Sequence, residues 1–142
     1  MGQGTSTTGV GAVSDASPLL VDTDILIDAG RAAPTALQFL NDKYPGALAV
    51  CVITRMELIV GCRNKAELRV LDSFLRGFRV FALTPDISQQ AEALLRRYRL
   101  SHGLLIPDAL IAATALGADI PLATKNVSDF RFIEGLALVD YG

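Results

Sequence analysis

Five short apolar runs punctuate this chain, with stretches of helical spacing between them: Leu19–Val21, Leu48–Ile53, Val80–Leu83, Ile120–Ala123 and Leu136–Val139. The runs are continuously apolar and partly β-branched, the pattern of strands buried on both faces. Strands that alternate with helices build a parallel sheet covered on both sides. The expectation is therefore an α/β fold of three layers, α/β/α, around a central, mostly parallel sheet of about five strands. No internal repeat competes with this reading.

The intervening segments carry helix signals. Thr23 or Asp24 is placed to cap a short helix toward Ala29, which Gly30 ends. Pro34 opens a second helix with Leu37, Leu40 and Tyr44 on one face, and Pro45-Gly46 is a turn. Thr54 opens a helix that Gly61 closes. Lys65 to Arg76 carries a Leu68, Leu71, Leu75 stripe. Pro85-Asp86 begins a long helix whose core face is Ile87, Ala91, Leu94, Leu95 and Tyr98, leaving Arg96, Arg97 and Arg99 outside. Pro107 stands in a first helical turn, and Ala109 to Ala113 is apolar nearly all round, which predicts an internal helix.

A chain of 142 residues, 51% hydrophobic and 20% charged, is one globular domain. Two cysteines (Cys51, Cys62) and one histidine (His102) leave too few ligands for zinc and no disulfide framework. No apolar run approaches a membrane span. Residues 1–17 are rich in Gly, Ser and Thr, with no basic residue and no apolar stretch, so they read as a flexible tail rather than a signal peptide. Residues 18–142 form the domain, and the expected compartment is the cytoplasm. The net charge is −2, yet Arg55 to Arg99 holds nine basic and five acidic residues. That local surplus suits RNA phosphates, or else solvated helix faces with i,i+4 pairs.

Ligands of an open parallel sheet bind beyond the carboxyl ends of its strands. Four acids fall there: Asp22, Glu57, Asp129, and Asp108 opening the internal helix. Each has a plain structural reading. Asp22 and Asp108 complement helix dipoles, Thr54-x-x-Glu57 is a capping box, and Asp129 caps a turn. Together they are like charges at one edge, which a divalent cation would relieve. All-oxygen ligation selects Mg²⁺ or Mn²⁺, and such ions support phosphodiester hydrolysis.

Four segments then resemble one family. Leu20-Val21-Asp22-Thr23-Asp24-Ile25-Leu26-Ile27 is similar to the opening motif of PIN domains, especially VapC-type toxins of bacterial toxin–antitoxin modules. Thr54 to Gly61 (TRMELIVG), Pro107 to Ala113 (PDALIAA) and Leu122 to Phe130 (LATKNVSDF) resemble the following three, in family order. The resemblance implies a PIN-like domain and a metal-dependent endoribonuclease. It also implies Mg²⁺ as cofactor, an RNA substrate such as tRNA or ribosomal RNA, a homodimer and an antitoxin partner. By position, Asp22, Glu57 and Asp108 match the first three acids. The fourth stays open between Asp129, which is preferred, and the nearer Asn126. Asp24 is a fifth charge that binds metal or caps, and Thr23 and Thr124 are supporting hydroxyls. Lys125 reads equally as a phosphate contact or a surface lysine. His102 reads as a helix-end residue, Asp28 as solvated, and Asp119 as lying at the opposite sheet edge.

Two rivals remain. Asp22-x-Asp24 after a strand also begins the motif of haloacid-dehalogenase-like phosphatases, which expect Thr or Val where Leu26 stands. A PIN-like module that only binds RNA or protein would be favoured by loss of a core acid. A metal-dependent cleavage assay separates both from a nuclease.

Overall fold

The computed structural model describes residues 18–43 and 47–141. The expected tail, Tyr44 and the Pro45-Gly46 turn lie outside those residues. Five strands, β1 (Leu19–Val21), β2 (Leu48–Cys51), β3 (Arg79–Phe81), β4 (Leu122–Thr124) and β5 (Leu138–Asp140), form one sheet in the order β3-β2-β1-β4-β5. Every pairing is parallel.

Alternate residues of each strand face opposite layers. Leu20, Ala49, Cys51 and Leu122 pack beneath α5 (Pro85–His102) and α6 (Ile106–Ala118). Leu19, Val21, Val50 and Ala123 pack against α1 (Thr23–Gly30) and α2 (Pro34–Lys43). The two apolar layers give the three-layer α/β/α architecture. α6 is internal as its composition requires, with Ala109, Ile111, Ala112, Ala113, Thr114 and Ala115 buried. α5 buries Ile87, Ala91, Leu94 and Tyr98 and is capped by Thr84, whose hydroxyl accepts from the Ile87 amide at 3.2 Å. α4 (Lys65–Leu75) begins at an Asn64 cap and buries Leu75. Among the described residues no helix is long and apolar enough to cross a membrane.

β3, β4 and β5 are offset by one or two residues from the apolar runs that announce them, and three further local expectations shift. The β2 run stops at Cys51, and α3 (Val52–Val60) begins two residues before Thr54. Val52 and Ile53 continue the apolar pattern but enter the helix, because burial against a neighbouring layer overrides their β preference. Thr54 is therefore inside α3, and the capping box it seemed to form with Glu57 does not exist. The cap of α1 is Asp22, which accepts from the Thr23 amide at 2.8 Å, rather than Thr23 or Asp24. In α2 the buried face is Ala36, Phe39 and Leu40, with Leu37 turned outward.

The sequence leaves β1 toward β2 and β3 on one side, then returns to β4 and β5 on the other. The order reverses between β1 and β4, and a crevice opens at the carboxyl ends of strands at such a switch point. Asp22 follows the first of these strands, and Thr124 ends the second.

Candidate active site

The switch point is closed by a hydrogen bond. Thr124 Oγ1, fully buried, donates to Asp22 Oδ2 at 2.8 Å, while the other carboxylate oxygen caps α1. Asp22 is only 5% exposed. Burial pushes its carboxyl up to about 6, with Asp24 and Glu57 adding to the rise and the Thr124 and Thr23 bonds opposing it.

Glu57 is brought in by α3. Thr23 Oγ1 lies 2.8 Å from Glu57 Oε1, to which it donates, and 3.0 Å from the Oγ1 of fully buried Thr54. Asp24, one residue further along α1, accepts from Asn126 Nδ2, and the Asn126 amide is held by Thr124 Oγ1 at 3.0 Å. Asp108 stands in the first turn of α6, half-buried. Its carboxyl is pushed up to about 7, first by burial, then by the charges of Asp22, Asp129, Glu57 and Asp24. Asp129 is exposed at the end of a single 3₁₀ turn, Val127–Asp129. All four sequence-predicted acids, and Asp24, thus share one electrostatic neighbourhood.

Among the described residues no three acid side chains stand close enough to hold an ion as they are placed. Hydroxyls and an amide hold Asp22, Glu57 and Asp24 individually. The donor set still fits a hard divalent cation: it is all oxygen, two members are driven toward protonation by burial and then by like charge, and among the described residues none forms an ion pair with Lys or Arg.

Other expectations resolve differently. Asp28 is not merely solvated: its Oδ2 accepts from Lys125 Nζ at 2.9 Å and from Tyr141 OH at 2.6 Å. Lys125 is therefore a paired cation. Asp119 ends α6 in a left-handed conformation (φ 55°), remote from the carboxyl ends of the strands. His102 ends α5 and stacks on Phe132, with centroids 4.2 Å apart. In the basic stretch, Arg63–Glu67 and Arg96–Glu92 are i,i+4 pairs, as solvated helix faces would form. Sequence reasoning missed Thr54, the Asp28 contacts and Tyr141. The Thr-x-x-Glu spacing was the available signal for Thr54, but it pointed to the wrong bond.

Residues 19–134 match the family model described as PIN domain. The chain belongs to the PIN-domain family. Two sequence relatives of this PIN domain come from Mycobacterium tuberculosis. Ribonuclease VapC10 is 42% identical over 120 residues, covering 83% of this chain and 90% of that protein. Ribonuclease VapC19 is 38% identical, covering 82% and 95% respectively. Among solved structures, a chain of a toxin–antitoxin complex from Klebsiella pneumoniae superposes with a TM-score of 0.75 at 33% identity. That match covers 87% of this PIN domain and 98% of the other chain.

Proposed function

We propose that this chain is a Mg²⁺-dependent endoribonuclease, with Mn²⁺ as a substitute, and the toxin of a toxin–antitoxin pair. The observation that carries this reading is the convergence of four carboxylates on the electrostatics of Asp108, in a chain whose relatives are named ribonucleases. Asp22, Glu57 and Asp108 would hold the cation, with Asp129 completing the set and Asp24 beside it. A divalent ion bound there supplies charge neutralisation at the scissile phosphate and a more acidic water.

The protein's own part is orientation and proton control. Thr124 and the Thr23 amide occupy one lone-pair direction on each Asp22 oxygen, which fixes the plane of that carboxylate. Thr23 holds Glu57 through Oε1 and leaves Oε2 without that bond. Asn126 restrains Asp24. Asp108, whose carboxyl titrates near neutrality without a cation, must lose its proton to become a ligand.

The reading extends to partners. A solved neighbour is titled a toxin–antitoxin complex, and a carboxylate edge of this kind attracts an arginine from a covering antitoxin segment. Exposed Met56, Val60, Val70 and Phe74 on α3 and α4 suit a homodimer contact. The deciding experiment incubates purified protein with total cellular RNA in Mg²⁺, Mn²⁺ or EDTA and maps the ends. Discrete new ends in either metal, absent in EDTA, are expected. Intact RNA in both metals, or equal cleavage in EDTA, would overturn the reading.

A further inference from the structure

The last residue of β4 and the two after it are tied to α1 and its cap. Thr124 donates to Asp22 at 2.8 Å, Lys125 to Asp28 at 2.9 Å, and Asn126 to Asp24. Thr124 and Asn126 hold acids of the candidate site. Lys125, between them, reaches Asp28, which lies one helical turn beyond Asp24.

Asp28 is itself held. Tyr141 donates to its Oδ2 at 2.6 Å, and the Tyr141 ring packs edge-on against Phe39 of α2, with centroids 5.6 Å apart at 79°. The Asp28 carboxyl sits below the usual carboxylate range, held there first by Tyr141 and then by Lys125. The Tyr141 phenol is pushed up to about 12 by the same bond. An isolated exposed lysine–aspartate pair contributes little order. This one has a second donor backed by a packed ring, and its lysine is flanked on both sides by residues bonded to site carboxylates.

We propose that Asp28 and Tyr141 are positioning residues: they anchor Lys125 and so fix the Thr124–Asn126 segment that orients Asp22 and Asp24. This role rests on the nuclease reading above. It makes the chain's last described residue, 119 positions from Asp22, part of the machinery that shapes the site.

The test compares Asp28→Asn, Tyr141→Phe, Lys125→Met and the Asp28→Asn/Lys125→Met double variant in the full chain. Five quantities are read: kcat and KM on RNA, Mn²⁺ affinity by calorimetry, melting temperature and, in the proteins that keep Lys125, acylation of its amine by mass spectrometry. Asp28→Asn should lower kcat and Mn²⁺ affinity each by about tenfold, with KM within about twofold. Tyr141→Phe, which keeps the ring packing, should act in the same direction more weakly. Both should speed Lys125 acylation. The double variant should be no worse than Asp28→Asn alone, because both substitutions break one linkage. Unchanged kcat and Mn²⁺ affinity in folded Asp28→Asn, despite faster acylation, would overturn the positioning role. So would a loss that follows melting temperature alone and disappears in a cooler assay. A wild type that neither binds Mn²⁺ nor cuts RNA would instead overturn the nuclease reading and the role with it, while acylation still reports whether the anchor exists.

Discussion

Charged groups on the outer helices and those at the strand ends obey opposite electrostatics. On α4 and α5, and just outside them, charge meets opposite charge: Arg63–Glu67 at 2.6 Å, Arg96–Glu92 at 3.2 Å, Arg97–Glu134 at 2.8 Å. The shifts there favour ionisation, with Glu67 lowered and Arg97 raised. At the carboxyl ends of β1 and β4, carboxylates face other carboxylates, and partial burial strips water from Asp22 and Asp108. Asp22 and Asp108 are driven the other way, to about 6 and about 7. A surface can dissolve its charge in solvent and in pairs, whereas an edge of one sign with buried members is relieved by a bound cation. The proposed site rests on that contrast.

The largest expected effect breaks the acidic side of that contrast. Asp108→Asn and Asp22→Asn should each lower RNA cleavage by about a thousandfold, the scale of several kcal/mol of lost charge stabilisation. Far-ultraviolet circular dichroism should show the fold intact. Normal cleavage by folded Asp108→Asn would remove Asp108 from the site.

Next in size is the response to metal. Mg²⁺ at a hundredfold excess over Kd should stabilise the wild type by about 2.7 kcal/mol. Asp108→Asn should gain much less. Thermal melts in EDTA and in millimolar Mg²⁺ measure both, and a wild type indifferent to Mg²⁺ would leave these acids as helix-end residues.

A smaller effect is the pH dependence without metal. A carboxyl whose folded value is raised costs stability while the unfolded chain is ionised there and the folded one still holds its proton. The cost is absent below about pH 4, grows above it, and is complete once pH passes about 6 for Asp22 and about 7 for Asp108. Metal-free stability should therefore fall between about pH 4 and 7 and level off above. Glu67 and Asp28, held low, act below that window and with the opposite sign. Asp108→Asn should flatten the fall and, after allowance for solvent screening, be more stable than the wild type at pH 8 by about 1 kcal/mol. Parallel pH profiles for the two proteins would contradict this. The smallest effect lies on the basic side: Glu134→Gln, which breaks an exposed pair, should leave cleavage and melting temperature unchanged within error.

How much of this was legible in the sequence follows from the range of the interactions. β1 and α6 are marked by local signals, an apolar run ending at Asp22 and a Pro107-led apolar helix, and both stand where the pattern puts them. That Asp22, Glu57, Asp108 and Asp129 share one electrostatic neighbourhood follows from a parallel sheet collecting its strand ends at one edge, which the pattern of runs already implies. The β2–α3 boundary was not, since Val52 and Ile53 suit strand and helix alike and only packing decides. That error concealed Thr54, whose partner Thr23 lies 31 residues away. The Asp28 contacts span 97 and 113 residues, and no local periodicity announces them.

The central claim, that these acids form one cation site, is tested most directly by calorimetric titration of Mg²⁺ in buffers of different ionisation enthalpy. Ligands must be deprotonated to bind, so groups raised to about 6 and about 7 surrender protons when the ion enters. Saturable binding should release about one proton per ion at pH 6.5 and almost none at pH 9, and should tighten across that range. Asp108→Asn should lose most of the affinity and most of the proton release. Weak, pH-independent binding that is the same in wild type and Asp108→Asn would contradict the account.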